Sequence, residues 1–99
     1  MGDIAEAARA RKFELGRCVI TPGAIVALEF NGFQPHDLLR RHVSGDDGDL
    51  DADDKAANLA AIEHGGRILS AYNLAGGERI WVITEADRSS TCILLPSEY

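Results

Sequence analysis

Long apolar runs are missing from this sequence. The longest is five residues, Ala24 to Leu28, against the roughly 20 that a membrane-spanning helix needs. The opening Met1-Gly2-Asp3 also lacks the basic and apolar regions of a signal peptide, so no membrane association is expected and the expected compartment is the cytoplasm. Cysteine is scarce: Cys18 and Cys92 are the 2 in the chain, and no C-x-x-C or Cys/His spacing accompanies them. They read as reduced, structural thiols in apolar strand-like surroundings. Basic residues are outnumbered, 10 against 16 acidic, for a net charge of −6. Affinity for nucleic acid rests on phosphate neutralisation by Lys and Arg, so a nucleic-acid partner is disfavoured. Phosphate-loop, dinucleotide-glycine and nucleophile-elbow patterns are absent as well, and no cofactor is expected.

What is present suits one small domain. Ninety-nine residues, 45% of them apolar, are enough for one core and too few for two. Residues 1–43 carry six basic and five acidic groups and residues 64–99 three and four, whereas residues 46–63 carry one basic group against seven acidic. The negative charge is therefore a single block in an otherwise nearly neutral chain.

Residues 3–12 are Ala-rich with alternating charges and predict a loosely docked N-terminal helix. Phe13 to Thr21 is strand-like. Thr21-Pro22 signals a helix start, with Thr as N-cap and Pro at the first position, and Asn31-Gly32 its end. A second helix opens at Pro35 and stops at Gly45. After a turn-rich acidic loop, Asp51 is the expected N-cap of a third helix, 52–63, closed by His64-Gly65-Gly66.

The last third predicts an antiparallel meander. Gly76-Gly77, taken as a two-residue hairpin turn, pairs Leu74 with Arg79, Tyr72 with Trp81 and Ser70 with Ile83. A turn through Ala86-Asp87-Arg88-Ser89 pairs Thr84 with Thr91, Val82 with Ile93 and Trp81 with Leu94. These registers put Leu69, Ala71, Ile80, Val82, Ile93 and Leu95 beneath the helices. Ser70, Tyr72, Leu74, Arg79, Trp81, Ile83, Cys92 and Leu94 fall on the other face, which is too apolar to stay bare. The fold class expected is α+β, with three to four helices on one face of a three- or four-stranded antiparallel sheet ending in the meander.

Candidates for chemistry are few. The acidic loop 46–54 could hold a divalent ion and make the protein a small enzyme or metal-dependent regulator. An EF-hand frame started at Asp49, however, fails where Asp54 replaces the required Gly and Ala60 the bidentate Glu. A solvated turn and a charged helix N-terminus explain these carboxylates more simply. His36 and His42 are six apart and do not share a helix face, so no metal site is expected of them, and His42 reads as a cap on a helix C-terminus. The helices around Gly32-Phe33-Gln34 could imitate helix-turn-helix, but Arg40-Arg41 beside a net charge of −6 is a poor footprint for DNA.

Surface for a partner remains. On the first helix Ile25 and Leu28 mark one apolar direction, and Val26, Phe30 and Phe33 mark another. A surface helix needs only one. Leu59 stands among alanines in the third helix, and Tyr72 with Trp81 heads the aromatic sheet face. Val26, Phe30, Phe33, Leu59, Tyr72 and Trp81 are the candidate interface residues, facing a second copy of the chain or an unknown protein.

The segments Arg41-His42-Val43-Ser44-Gly45-Asp46-Asp47-Gly48-Asp49-Leu50, Gly66 to Tyr72 and Ile80-Trp81-Val82-Ile83-Thr84-Glu85-Ala86-Asp87-Arg88-Ser89-Ser90-Thr91, with the ending Leu95-Pro96-Ser97-Glu98-Tyr99, resemble a family of small bacterial proteins. These are carried on plasmids, integrative elements and prophages, are called plasmid-related proteins, and are sometimes labelled a type I restriction endonuclease subunit. The resemblance covers roughly residues 13–99 and implies no established activity. A type I methylase is excluded by size, since the chain has no room for a cofactor-binding domain. Where the family loop reads Gly-Asp-Trp-Gly, this chain has Gly45-Asp46-Asp47-Gly48; Phe30 stands where a charged residue is expected, and the segment around Leu59 is less polar than usual. Such changes suit drift, or an interface engineered on the family scaffold. With the candidate surfaces above, the expected function is a non-enzymatic protein-binding or accessory module of a mobile genetic element, in native or engineered form, acting as a homo-oligomer or with an unknown protein partner.

The capping role of the acidic block is testable. Asp51→Ala should lower stability by about 0.5–2 kcal/mol, and the melting temperature of the parent should not respond to Ca²⁺ or Mg²⁺. A strong rise with either ion would assign the loop to metal binding.

Overall fold

A computed structural model describes residues 11–99. The N-terminal helix expected over 3–12 lies outside them except for Arg11 and Lys12, which are not helical. The elements are β1 (Arg17–Ile20), α1 (Pro22–Phe30), α2 (Pro35–Val43), α3 (Ala52–His64), β2 (Ile68–Asn73), β3 (Arg79–Thr84), β4 (Ser90–Leu94) and a 3-10 turn (Pro96–Glu98). The class is α+β, with three helices and one four-stranded sheet in the order β1-β4-β3-β2.

Helix ends follow the local chemistry. Thr21 caps α1, its hydroxyl accepting from the Ala24 amide at 3.3 Å, and Asp51 caps α3, accepting from the Asp54 amide at 2.8 Å. Gly65 closes α3 in the left-handed region at φ 84°. Arg88 then donates to the carbonyls of Ala61 and Gly66 at 3.0 and 2.6 Å, placing a cation at the negative end of the helix dipole.

Two expectations about the sheet are corrected. β1 pairs with β4 in parallel, Arg17 beside Ser90 and Ile20 beside Ile93, so the sheet is mixed. Three helices and a hairpin separate these strands in sequence, which allows the long return that a parallel pair requires. The first hairpin is also one residue out of the expected register: Tyr72 pairs with Ile80 and Ala71 with Trp81. Its loop holds three residues, Ala75, Gly76 and Gly77. The Leu74 amide donates to the Glu78 carbonyl (2.8 Å), and the Gly77 amide donates to the Leu74 carbonyl (3.0 Å). Gly77 takes φ 97°, the left-handed position of a three-residue bulged loop.

Because side chains alternate along a strand, that single step exchanges faces. Ser70, Tyr72 and Leu74 lie beneath the helices, and Leu69 and Ala71 lie on the far face. The second hairpin has the expected register, with Val82 beside Ile93 and Thr84 beside Thr91. The main core joins Ala24, Ala27 and Leu28 of α1 and Leu38 of α2 to Tyr72, Leu74, Ile80, Val82 and Ile93. A smaller cluster gathers Phe13, Val43 and Ile68 with Leu15, Ala61 and Ile62.

The outer edge of β2 is closed by other parts of the chain. The Asn58 side chain takes both backbone groups of Leu69: its Nδ2 donates to the Leu69 carbonyl, and its Oδ1 accepts from the Leu69 amide at 3.0 Å. Ala71 donates to the Asp47 carbonyl at 3.1 Å and accepts from the Asp49 amide at 2.7 Å, while the Asn73 amide donates to the Asp49 carboxylate at 2.8 Å. Gly48 makes this approach possible, since a Cβ there would overlap Ala71 O and the Tyr72 ring.

Asn58 is the one residue of α3 that is fully buried, so the helix is held to the sheet through an amide together with the half-buried Ala61 and Ile62. Asn58→Ala strips the Leu69 amide and carbonyl of their partners. It should cost about 1–3 kcal/mol in equilibrium urea unfolding. Unchanged stability would show that the edge does not depend on this residue.

Candidate interaction surface and the buried polar network

α1 is built inside out with respect to side-chain size. The residues turned to the sheet are mostly small, with Ala24 and Ala27 buried beside Leu28, which lets the helix axis approach closely. The larger side chains point away: Val26 is 66% exposed and Phe30 77%, with Ile25 and Phe33 also exposed. Val26 and Phe30 are four apart and therefore neighbours on the helix surface. Ile25 and Phe33 line a neighbouring groove of about 340 Å³ with Leu28, Glu29, Gly32, Gln34 and Pro35.

This helix is fixed at both ends. Glu98 accepts from the Thr21 hydroxyl at 2.5 Å, the Leu95 amide at 2.9 Å and the Gly23 amide at 3.1 Å, and these bonds, Thr21 first, hold its carboxyl below the ordinary range. At the other end Asn31 donates to the Ala27 carbonyl (2.8 Å) and to Glu78 (3.2 Å), and accepts from the Gly76 amide (2.8 Å). The apolar surface is thus presented by a helix with little freedom to rearrange.

The other residues singled out in the sequence do not join it. α3 packs along β2 and α1 against β4, so Leu59, 61% exposed, belongs to a separate place. Trp81 is half-buried on the far face, edge-to-face with Tyr99 at 5.7 Å, and Arg67 lies over the Tyr99 ring at 5.2 Å. Tyr72 is 1% exposed on the helix face and presents no surface. Its hydroxyl donates to the Asp46 carbonyl at 2.5 Å, and Arg41 stacks on its ring at 4.4 Å. Burial pushes the phenol up to about 12.

Four carboxylates of the acidic loop are committed to the chain itself. Asp46 pairs with Arg41 at 2.7 Å, which lowers its carboxyl pKa. Asp47 takes Lys55 (3.2 Å) and Asn58 (3.3 Å), Asp49 takes the Asn73 amide, and Asp51 caps α3. Among the described residues no three His, Cys, Asp or Glu side chains converge as metal ligands. Neither thiol is fully buried, contrary to the expectation for structural cysteines: Cys18 is exposed on the edge strand, and Cys92 is half-buried.

His42 is not the solvent-facing cap that its place in α2 suggests. It is 1% exposed, edge-to-face with Phe13 at 5.1 Å. Its Nδ1 lies 2.6 Å from the Ser70 hydroxyl and its Nε2 2.8 Å from that of Thr84. Thr84 and Thr91 hydroxyls are 2.7 Å apart, and Thr91 donates to the Leu15 carbonyl at 2.7 Å. Each hydroxyl has one proton, so the order is forced from the far end. Thr91 accepts from Thr84, Thr84 accepts from Nε2–H, and Nδ1 accepts from Ser70. This assigns the Nε2–H tautomer and leaves no member unpaired. A Ser–His contact can mark nucleophilic catalysis, but here all four side chains are buried.

No family model matches the chain, and neither a curated protein nor a solved structure gives a significant match.

Burial lowers His42 from 6.5 to about 4. The unfolded chain therefore takes up a proton that the folded one refuses, and stability is complete above 6.5 and falls as pH drops towards 4. The loss amounts to about 3 kcal/mol. Urea unfolding at a series of pH values should show this slope in the parent and not in His42→Gln. The carboxyls of Asp46 and Glu98 are depressed, so their contributions fade lower, as pH falls from the ordinary carboxylate range. A flat profile between pH 7 and 4.5 would place His42 in water.

Proposed function

We propose that this protein is a non-enzymatic association module that docks through the outward face of α1 onto another protein surface, in the simplest case a second copy of itself. The inversion of α1 carries the reading: small residues pack inward while Val26 and Phe30 stand in water. A helix that is apolar all round is normally enclosed, and a fixed apolar patch is characteristic of contact sites. A self-complementary contact needs a twofold axis and no further partner. The commitment of Asp46, Asp47, Asp49 and Asp51 to Arg41, Lys55, Asn73 and α3, and the closure of the His42 network, support a non-enzymatic reading.

The resemblance of segments 41–50, 66–72 and 80–91 to plasmid-related proteins supports the setting of a mobile genetic element, and with it a cytoplasmic location. No helix among the described residues is long and apolar enough to cross a membrane.

Phe30→Glu should abolish association through the α1 face, because it places an unpaired charge in an apolar contact, while the circular dichroism spectrum and unfolding midpoint stay near those of the parent. Sedimentation equilibrium at high protein concentration measures the effect. A parent that is monomeric and binds no protein through this face, or a variant that unfolds, would return Phe30 to the monomer's own architecture.

A further inference from the structure

The two edges of the sheet are treated in opposite ways. On β2 the outward groups of Leu69 and Ala71 and the amide of Asn73 are all occupied, by Asn58, Asp47 and Asp49. On β1 the amide of Arg17 donates inward to the Ser89 carbonyl at 3.0 Å, and that of Thr21, just beyond the strand, to the Ile93 carbonyl at 3.0 Å. By strand alternation, Cys18 and Ile20 turn their N–H and C=O groups outward. Among the described residues nothing pairs with them. Natural edges are usually blunted by short length, charged side chains, Pro or a bulge, and β1 is four residues long with Arg17 at its start. Cys18-Val19-Ile20 itself contains no charge, Pro or bulge, and Val19 is 42% exposed.

We infer that the free edge of β1 pairs antiparallel with β1 of a second copy, across a twofold axis at Val19, joining the two sheets into one. In this register Cys18 of each copy lies opposite Ile20 of the other as a hydrogen-bonded pair, so the outward groups of both residues are all used. Val19 faces its own copy as the non-hydrogen-bonded pair. Arg17 falls opposite Thr21, and no like charges meet.

Charge also selects this edge. The acidic block, seven acidic groups against one basic in residues 46–63, is folded along β2 at the opposite side of the sheet. Joining through β1 leaves the two blocks at the far ends of the combined sheet. Joining through β2 would displace its caps and set the blocks against each other, which like-charge juxtaposition opposes.

The test uses the full chain with Cys18→Ser and Cys92→Ser, to which Val19→Cys or Phe30→Cys is added. A non-hydrogen-bonded pair has Cα atoms about 4.5 Å apart, inside the disulfide range of about 4.4–6.8 Å. Mild oxidation should therefore give a covalent dimer with Val19→Cys. A second variant, Cys18→Pro in the otherwise native chain, removes an outward amide and leaves the inward ladder to β4 intact. It should weaken the concentration-dependent dimer by about tenfold or more with an unchanged sheet signal. If Cys18→Pro does not fold, the cross-link decides alone. Val19→Cys remaining monomeric under oxidant, or a folded Cys18→Pro associating like the parent, overturns the inference. The α1 reading fails separately, through Phe30→Glu. A cross-link at Phe30→Cys without one at Val19→Cys rejects the β1 edge and leaves that reading standing.

Discussion

The outer edge of β2 ties two other parts of the chain to one strand. Backbone groups at a sheet edge must find partners or remain hydrated, and here residues 46–49 and Asn58 supply them. Once Asp47 and Asp49 are bonded to Ala71, Asp46 is carried to where its carbonyl accepts from Tyr72 and its carboxylate meets Arg41. Tyr72 in turn is a buried member of the main core. The position of α2 through Arg41, of α3 through Asn58 and of the core through Tyr72 thus follow from one set of edge bonds. The acidity of the segment is in part a consequence, since Asp side chains supply compact acceptors for amides and cations in tight turns.

Beneath the helices the sheet has a second polar element, the chain from Ser70 through His42, Thr84 and Thr91 to the Leu15 carbonyl. A buried network is tolerable only when every donor and acceptor is matched. With one tautomer this one is, and no buried side-chain polar atom among the described residues lacks a partner. It links α2 to β2, β3 and β4 and to the segment before β1. Apolar contacts alone would allow α2 to slide, whereas a donor–acceptor sequence fits in a single register.

These two polar features explain which parts of the fold were legible in the sequence. Helix limits were, because Thr21, Pro22, Pro35, Asp51 and Gly65 act through local backbone chemistry that neighbours cannot alter. The second hairpin was, because Val82, Thr84, Thr91 and Ile93 alternate in step. The first hairpin was not. Ser70 and Tyr72 carry hydroxyls that alternation assigns to water, yet both are satisfied internally, by His42 and by Asp46. A double glycine reads as a two-residue turn, while the chain uses Ala75 as well. The parallel partner of β1 was equally hidden, since nothing within Arg17–Ile20 encodes a neighbour more than 70 residues away. Of the candidate surface, Val26, Phe30 and Leu59 were found by their misfit to a single apolar stripe. Tyr72 was grouped with them only through the mistaken register.

The closed edge and the open one bear on how such a small domain can associate at all. A net charge of −6 disfavours self-contact wherever the acidic groups are near the contact, and at physiological ionic strength that penalty decays over about 8 Å. A sheet four strands wide separates its two edges by three spacings of about 4.8 Å, beyond that screening length. The same bonds that seal β2 therefore confine the acidic block to one side and leave β1 remote from it. The free β1 edge, with α1 leaving directly from its end, is where the molecule has unused hydrogen-bonding capacity and where its own charge opposes an approaching copy least.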